Sequence, residues 1–387
     1  MWPYILCFSI SCLCFYVAEI KRNNNYKQFV FFSIIGIILP CLLAGARDKT
    51  IGTDVLVYGD RLYNLAKNLD FFSFIAASPC EFLYSVLVYG LARITITTFW
   101  QYFIFQLIVV VCIYIALIKQ DTRKVWIGMA GYYLMFYGYS LNWMRQMIAM
   151  SIIFFAYLFI KEEKLIKYII MVIIATLFHS SAIIAILFYP MYYLLTDEKI
   201  SKYKNIRVRY GDKEIDSEVI KNSIEISIIG LFIVALFSFY KILLILSRYS
   251  YFALLYGNYF EKTKSGGSLD ITYIILIMPV VITGVLYHKK LSRLKTDFRY
   301  IFSVFAIGYI LYQTKMYGYY SYRISFYFLL FIVILIPKVL TYTVNRKNAI
   351  FLEWSYVVIF SLYFYLDFVK RLSNEIIPYT SKMLGIG

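Results

Sequence analysis

In LNWMRQMIAM a permanent cation heads an otherwise apolar run, with Asn142 three residues before Arg145 and Gln146 directly after it. Similar polar intrusions stand at the ends of other apolar runs. They are Arg47, Asp48 and Asp54 in ARDKTIGTDVLVYGDR, Glu81 in SPCEFLY, His179 in LFHSSAI and Arg323 in YYSYRISFYF. Ionisable groups in or near lipid are costly, which makes them functional suspects by default. A bland alternative stands beside each. Arginines at run ends also serve as anchors that snorkel to the headgroups, but two amides around Arg145, and the glycine and acidic residues following Arg47, are odd company for an anchor. Lone histidines are mostly structural. His179 precedes two serines between apolar runs, whereas His288 sits beside Lys289 and Lys290 and reads as a cytoplasmic anchor.

Gathered on one face, these residues have a chemical meaning. Guanidinium forks bind phosphate oxygens bidentately and keep their charge where water is scarce. Arg47, Arg145 and Arg323 together would suit a diphosphate leaving group, and His179, Glu81 or Asp54 could act as general base on an attacking hydroxyl. The sequence carries no Asp-x-Asp pair to hold a metal and a nucleotide sugar, no Walker A loop, no Gly-x-Ser-x-Gly elbow and no His-Glu-x-x-His. With two histidines in all, a multi-histidine metal site is excluded. The expected substrate is a lipid diphosphate approached from within the bilayer, with no bound metal and no cofactor.

The elements that must position these residues are hydrophobic. Of 387 residues 61% are apolar and the mean hydropathy is +0.70, against roughly 45–50% apolar in a soluble domain. Apolar runs at 2–20, 28–46, 80–98, 100–118, 125–141, 146–160, 165–195 (one run or two short helices), 226–246, 270–287, 299–316, 323–342 and 350–369 approach or reach the length that crosses a hydrocarbon core of about 30 Å. Continuous runs, rather than ten-residue alternation, predict helices. The expected fold is an all-α polytopic membrane protein, a single transmembrane domain over 1–387 with about 11–14 transmembrane helices by this length criterion. Met1-Trp2-Pro3-Tyr4 lacks the basic start of a cleavable signal, so the first run is expected to stay in the mature protein.

The net charge of +17 does not gather into a patch for nucleic acid. The cations fall between runs, at Lys21-Arg22, Lys119 to Lys124, Lys161 to Lys167, Lys199 to Arg209, His288 to Arg299 and Arg346-Lys347, which the positive-inside rule assigns to the cytoplasm. The outer face then receives 47–79, 142–145, the surroundings of His179, 247–269 and 317–323. With Lys21 and Lys119 both inside, 80–98 is read as re-entrant rather than crossing. The run at 165–178 is short for a crossing, which puts His179 below the membrane surface. Residues 196–225 form a small cytoplasmic insert in which NIRVRYGDKEID predicts a hairpin turning at Gly211-Asp212. Asp212, Glu214 and Asp216 read as a solvated face. The six cysteines lack metal-ligand spacing and read as small hydrophobes.

The pieces RDKTIGTDVLVY, Glu81 with Tyr84, NWMRQMIA and LFHSSAI, with YRISFY as a weaker echo, resemble a Wzy-type O-antigen or exopolysaccharide repeat-unit polymerase of the EpsG-like family. The resemblance covers about 47–182 in motifs and the remainder in hydropathy. It implies a type C glycosyltransferase-like fold and a multi-pass protein of the bacterial inner (plasma) membrane with its site on the periplasmic or outer face. The implied reaction moves a glycan from a polyprenyl-diphosphate-linked oligosaccharide to the non-reducing-end hydroxyl of another lipid-linked repeat unit. Arg47, Arg145 and Arg323 would hold the diphosphate, Asn142 and Gln146 would position sugar or phosphate, and His179 would be base or phosphate ligand, with Asp54 and Glu81 as alternative bases. Membrane lipid is the other expected partner, a chain-length regulator protein is left open, and nucleic acid is not expected.

Three rivals share parts of this chemistry. An O-antigen ligase uses the same donor but should carry a large outer loop. A lipid-linked oligosaccharide flippase should show two related halves, and no internal repeat is visible. A membrane O-acetyltransferase would place its histidine early in the chain beside arginines.

Overall fold

The computed structural model describes residues 1–120, 122–196, 209–210, 213–214, 217–246, 268–294, 297–317, 321–342 and 346–387. The protein is an all-α polytopic membrane protein. Seven helices among the described residues are long and apolar enough to cross a membrane, and five shorter apolar helices accompany them. The chain divides into two compact units, Met1–Ala185 with Ile336–Gly387, and Ile186–Leu335.

In the first unit, helix α1 (Trp2–Lys21) packs on α2 (Tyr26–Ala46), which packs on α6 (Thr98–Ile118), which packs on α9 (Met144–Lys161), which packs on α10 (Leu165–Phe178). Helix α7 (Val125–Met135) lies against α1 and against the helix Arg346–Phe364. One broken hydrogen bond explains how α1, α2 and α7 are joined. Pro40 sits inside α2 and has no N–H to give to the carbonyl four residues back. In lipid that carbonyl must find another donor. The orphan is Gly36, and it accepts from Ser11 Oγ at 2.6 Å and Tyr133 Oη at 3.3 Å. Both side chains are fully buried.

The helices bring like groups to like ends. Arg22 donates to the Ile118 carbonyl at 2.8 Å, Lys161 to Gln120 Oε1 at 3.2 Å and Lys124 to Glu353 Oε2 at 2.8 Å, while Glu19 accepts from the Val125 N–H at 2.9 Å. This is one end of the unit, and three of the basic clusters expected in the cytoplasm meet there. Arg47, the N-terminus of α9 and the C-terminus of α10 lie at the other.

Several apolar runs are broken where the sequence looks continuous. The run 125–141 kinks at Phe136 and continues as α8 (Tyr137–Asn142), and a second break at Trp143 precedes α9. The run 80–98 yields α5 (Phe82–Ile94), whose 13 residues extend about 20 Å at 1.5 Å per residue, too short to span alone. The run 165–195 becomes α10, a 3₁₀ segment Ser180–Leu187 and α11 (Phe188–Leu195). Residues 47–79 are not an open loop, for they hold a π turn Val55–Asp60 and two helices, α3 (Arg61–Asn68) and α4 (Phe71–Ala77).

In the second unit, Phe298–Leu311 packs against Ser217–Leu246, Ile271–Leu294, Ser325–Leu329 and α11. A polar knot lies inside it. Glu225 Oε2 pairs with Arg299 Nη1 at 2.6 Å, and its Oε1 is shared by His288 Nε2 at 3.1 Å and Ser303 Oγ at 2.8 Å. His288 is therefore a hydrogen-bond partner of Glu225 rather than a free anchor. The hairpin expected in the insert is present as β1 (Arg209–Tyr210) paired antiparallel with β2 (Lys213–Glu214). Its turn at Gly211-Asp212, together with Asp216 and the loop 247–267, lies outside the described residues.

If Pro40 is the reason Ser11 and Tyr133 are needed, the Ser11→Ala/Tyr133→Phe double variant should lose about 1–3 kcal/mol, the cost of a buried unpaired carbonyl. Adding Pro40→Ala should recover part of that by restoring the helical bond. Thermal melts of the four detergent-solubilised proteins check the cycle.

Candidate active site

Arg145 is the second residue of α9, where the helix dipole is positive and adds to its charge instead of offsetting it. An anion and aromatic faces make this tolerable. Arg145 Nη1 pairs with Glu81 Oε2 at 2.6 Å, and both side chains are about four-fifths buried, at 19% and 20% exposure. The guanidinium carbon lies 4.4 Å from the centre of the Tyr58 ring and 5.9 Å from that of Tyr84, within cation–π range. Tyr84 in turn donates its hydroxyl to the Tyr58 carbonyl at 2.9 Å.

Glu81 also ties in α10. It stands at the N-cap position of α5, and its Oε1 accepts the Ser180 N–H at 3.0 Å. Partial burial alone would raise the Glu81 pKa, but Arg145, then His179 and the Ser180 N–H, outweigh burial and bring it below the ordinary glutamate value. His179, the C-cap of α10, is held through one ring nitrogen: Nδ1 lies 2.8 Å from Ser181 Oγ and accepts the Ser181 N–H at 3.3 Å. That bond leaves the proton of a neutral ring on Nε2.

Arg47 follows the last residue of α2 and is 7% exposed. Its guanidinium carbon lies 4.5 Å from the centre of the Tyr102 ring, and Nη2 reaches the Met144 sulfur at 3.4 Å. Nε has no hydrogen-bond partner, and no carboxylate pairs with Arg47 among the described residues. Burial pulls its pKa down from the ordinary arginine value. An uncompensated buried cation is expensive, and no carboxylate among the described residues offsets this one.

Asn142 is the joint of the site. Its Oδ1 accepts the Asp54 N–H at 2.7 Å and the Thr53 hydroxyl at 3.1 Å, and its Nδ2 donates to Asn374 Oδ1 at 2.8 Å. Gly52 makes the approach of the 47–54 segment feasible. Its φ is +98°, and a Cβ there would come within 3.0 Å of the Leu141 carbonyl oxygen. The break at Trp143 ends α8 at Asn142 and starts α9 anew, which lets Asn142 serve the loop while Arg145, three residues on, serves Glu81. Gln146 is buried beside Arg145.

The structure thus brings Arg145, Glu81 and His179 into one network, sets Arg47 against the residue preceding Arg145, and ties Asp54 to Asn142. Arg323 belongs to the second unit, on the 3₁₀ turn Ser321–Ile324, where it is half-buried. Sequence reasoning missed the last segment of the chain. Asp48 N–H donates to the Thr380 carbonyl at 3.0 Å, Gly52 N–H to that of Glu375 at 3.4 Å, and Lys382 N–H to Asp48 Oδ1 at 3.0 Å. Asp367 accepts from Tyr139 Oη at 2.6 Å and Ser373 Oγ at 3.0 Å. No apolar pattern marks 371–387; the run of Ser373, Asn374 and Glu375 was the only sign.

Fold and site define a multi-pass membrane protein with buried guanidinium groups gathered at one end of a helical unit. The model of the EpsG family matches residues 30–381, and the chain belongs to that family. Membership implies a polysaccharide polymerase of the glycosyltransferase type, the activity the sequence resemblance pointed to. No significant match was found among curated proteins or solved structures.

Because the folded Glu81 pKa is depressed, the stability contributed by its pairing is complete above the ordinary carboxylate range near pH ~4.3 and is lost as pH falls through the folded pKa. Glu81→Gln should therefore melt below wild type at pH 7, by about 1–3 kcal/mol for the stranded Arg145. The gap should shrink as the pH drops below about 4, and melting curves across pH 3–7 read it directly.

Proposed function

We propose that the protein polymerises surface polysaccharide by transferring a polyprenyl-diphosphate-linked glycan onto the non-reducing end of another lipid-linked repeat unit, at the outer face of the bacterial inner (plasma) membrane. The observation that carries this reading is Arg47, a buried guanidinium with no carboxylate partner among the described residues, next to the helix start that bears Arg145. Two cations at a positive helix terminus favour a doubly anionic group such as a diphosphate. Their end of the unit lies opposite the one holding Lys21-Arg22, Lys124 and Lys161, which supports an outer-face site by the positive-inside rule.

The residues then divide the work. Arg47 and Arg145 hold the donor diphosphate and stabilise the charge that grows on it as the glycosidic C–O bond breaks. Glu81, ionised and engaged by Arg145 and the Ser180 N–H, keeps Arg145 in place, and its depressed pKa makes it a weak base. His179, whose Nδ1 is held by Ser181, serves as a ligand to a phosphate or sugar oxygen. Asp54, fixed through its own N–H by Asn142, is left as the general base that takes the proton of the acceptor hydroxyl. Gln146 and Asn142 position the donor and the loop.

The test is a gel of surface and lipid-linked glycans from a strain lacking this gene, complemented with wild type, Arg145→Ala, Arg47→Ala or Asp54→Asn. Single repeat units at the surface without a ladder, with the ladder restored by wild type alone at equal protein level, are expected. An unchanged ladder with Arg145→Ala and Arg47→Ala sinks the site assignment. Loss of every surface repeat, with lipid-linked units trapped on the cytoplasmic leaflet, would mean a flippase instead, and polymer made but left on its lipid would mean a ligase.

A further inference from the structure

We propose that Asn374, in the C-terminal segment, is a substrate-binding residue whose carboxamide NH₂ donates a hydrogen bond to a phosphate or sugar oxygen of the lipid-linked donor; this rests on the polymerase reading above.

The assignment begins with a backbone bond. A carboxamide's oxygen and nitrogen are distinguished by the network they sit in. The Asp54 N–H can only donate, so the Asn142 atom 2.7 Å from it is Oδ1. The other Asn142 atom is then the NH₂, and the Asn374 atom that it reaches at 2.8 Å must be an acceptor, Oδ1. The orientation of Asn374 follows, and its Nδ2 is the group left over. Asn374 is 7% exposed, and Nδ2 is buried with no hydrogen-bond partner among the described residues. An unmet buried donor costs about 1–3 kcal/mol, and each such group calls for an explanation.

Its place supplies one. Asn374 is tied through Asn142 to Asp54, and its neighbour Glu375 accepts the Gly52 N–H, so the unmet donor sits over the same 47–54 segment that carries Arg47. The backbone there is held in an unusual form, with Leu372, Asn374 and Glu375 at φ of 53°, 63° and 51°. Asparagine tolerates that region better than most residues, and the contacts of 375–382 with 46–52 keep the turn in place. Arg47 Nε and Asn374 Nδ2 are thus two buried donors, both unmet among the described residues, bordering one loop; a donor lipid rich in acceptor oxygens satisfies both.

The experiment uses the full-length protein in nanodiscs and two probes, a sugar-free polyprenyl diphosphate and the lipid-linked repeat unit isolated from the producing strain. Asn374→Asp keeps an acceptor for Asn142 and removes the donor. It should weaken binding about tenfold or more, the scale of one lost hydrogen bond to a charged or strongly polar acceptor. An equal loss for both probes assigns Nδ2 to a phosphate oxygen, and a loss for the glycan-bearing probe alone assigns it to a sugar hydroxyl. Wild-type affinity for both overturns the proposal and leaves Asn374 as a support for Asn142 only. If the Asp variant does not accumulate, Asn374→Cys with maleimide labelling read by mass spectrometry replaces it: protection by either probe is expected, and labelling unaffected by both overturns the idea. Should wild type itself bind neither probe, the polymerase reading fails first.

Discussion

A guanidinium at the positive end of a membrane helix has to be neutralised, and much of the first unit can be understood as the means of doing so. Glu81 is brought to Arg145 by the short helix α5, and the π turn at Val55–Asp60 delivers the Tyr58 face. Neither ring nor carboxylate surrounds the cation completely. Arg47 has still less, an aromatic face and a sulfur. Compensation by the described residues is partial, and under the proposed function an incoming anion would complete it.

The scaffold meets a second demand of the bilayer, that no backbone polar group be left unpaired. Pro40 breaks the ladder of α2, and the freed Gly36 carbonyl is taken over by side chains of α1 and α7. A local defect thereby becomes a three-helix joint. The breaks at Phe136 and Trp143 work in a related way: by ending helices early they release side chains such as Asn142 from the lipid-crossing pattern to serve the loop and the C-terminal segment. Rigid helices thus place the site, while its fine positioning is left to irregular backbone.

This division explains what could be read from the sequence. Apolar runs report burial in lipid, and the runs at 2–20, 28–46, 100–118 and 146–160 became α1, α2, α6 and α9 with ends shifted by a few residues. Costly charges at run ends mark candidate residues, and Arg145, Glu81 and His179 do converge. Hydropathy does not report where a continuous run is interrupted, so the breaks within 125–141 and the helices α3 and α4 inside 47–79 were not legible. Nor does it report partners far apart in the chain. The Glu225–Arg299 pair joins residues 74 positions apart, and Asn142 and Asn374 are separated by 232; both pairs look like ordinary polar residues until the fold closes.

The closing of the 47–54 loop by residues 375–382 also sets an order of events. Ala46, Asp48 and Gly52 leave the ribosome hundreds of residues before Ser381, Thr380 and Glu375, which complete them. During membrane insertion the cationic loop therefore exists without its cover, and the site acquires its final shape only when the last segment arrives. A chain halted before residue 374 could insert the helices that precede it and still lack the segment that closes the 47–54 loop.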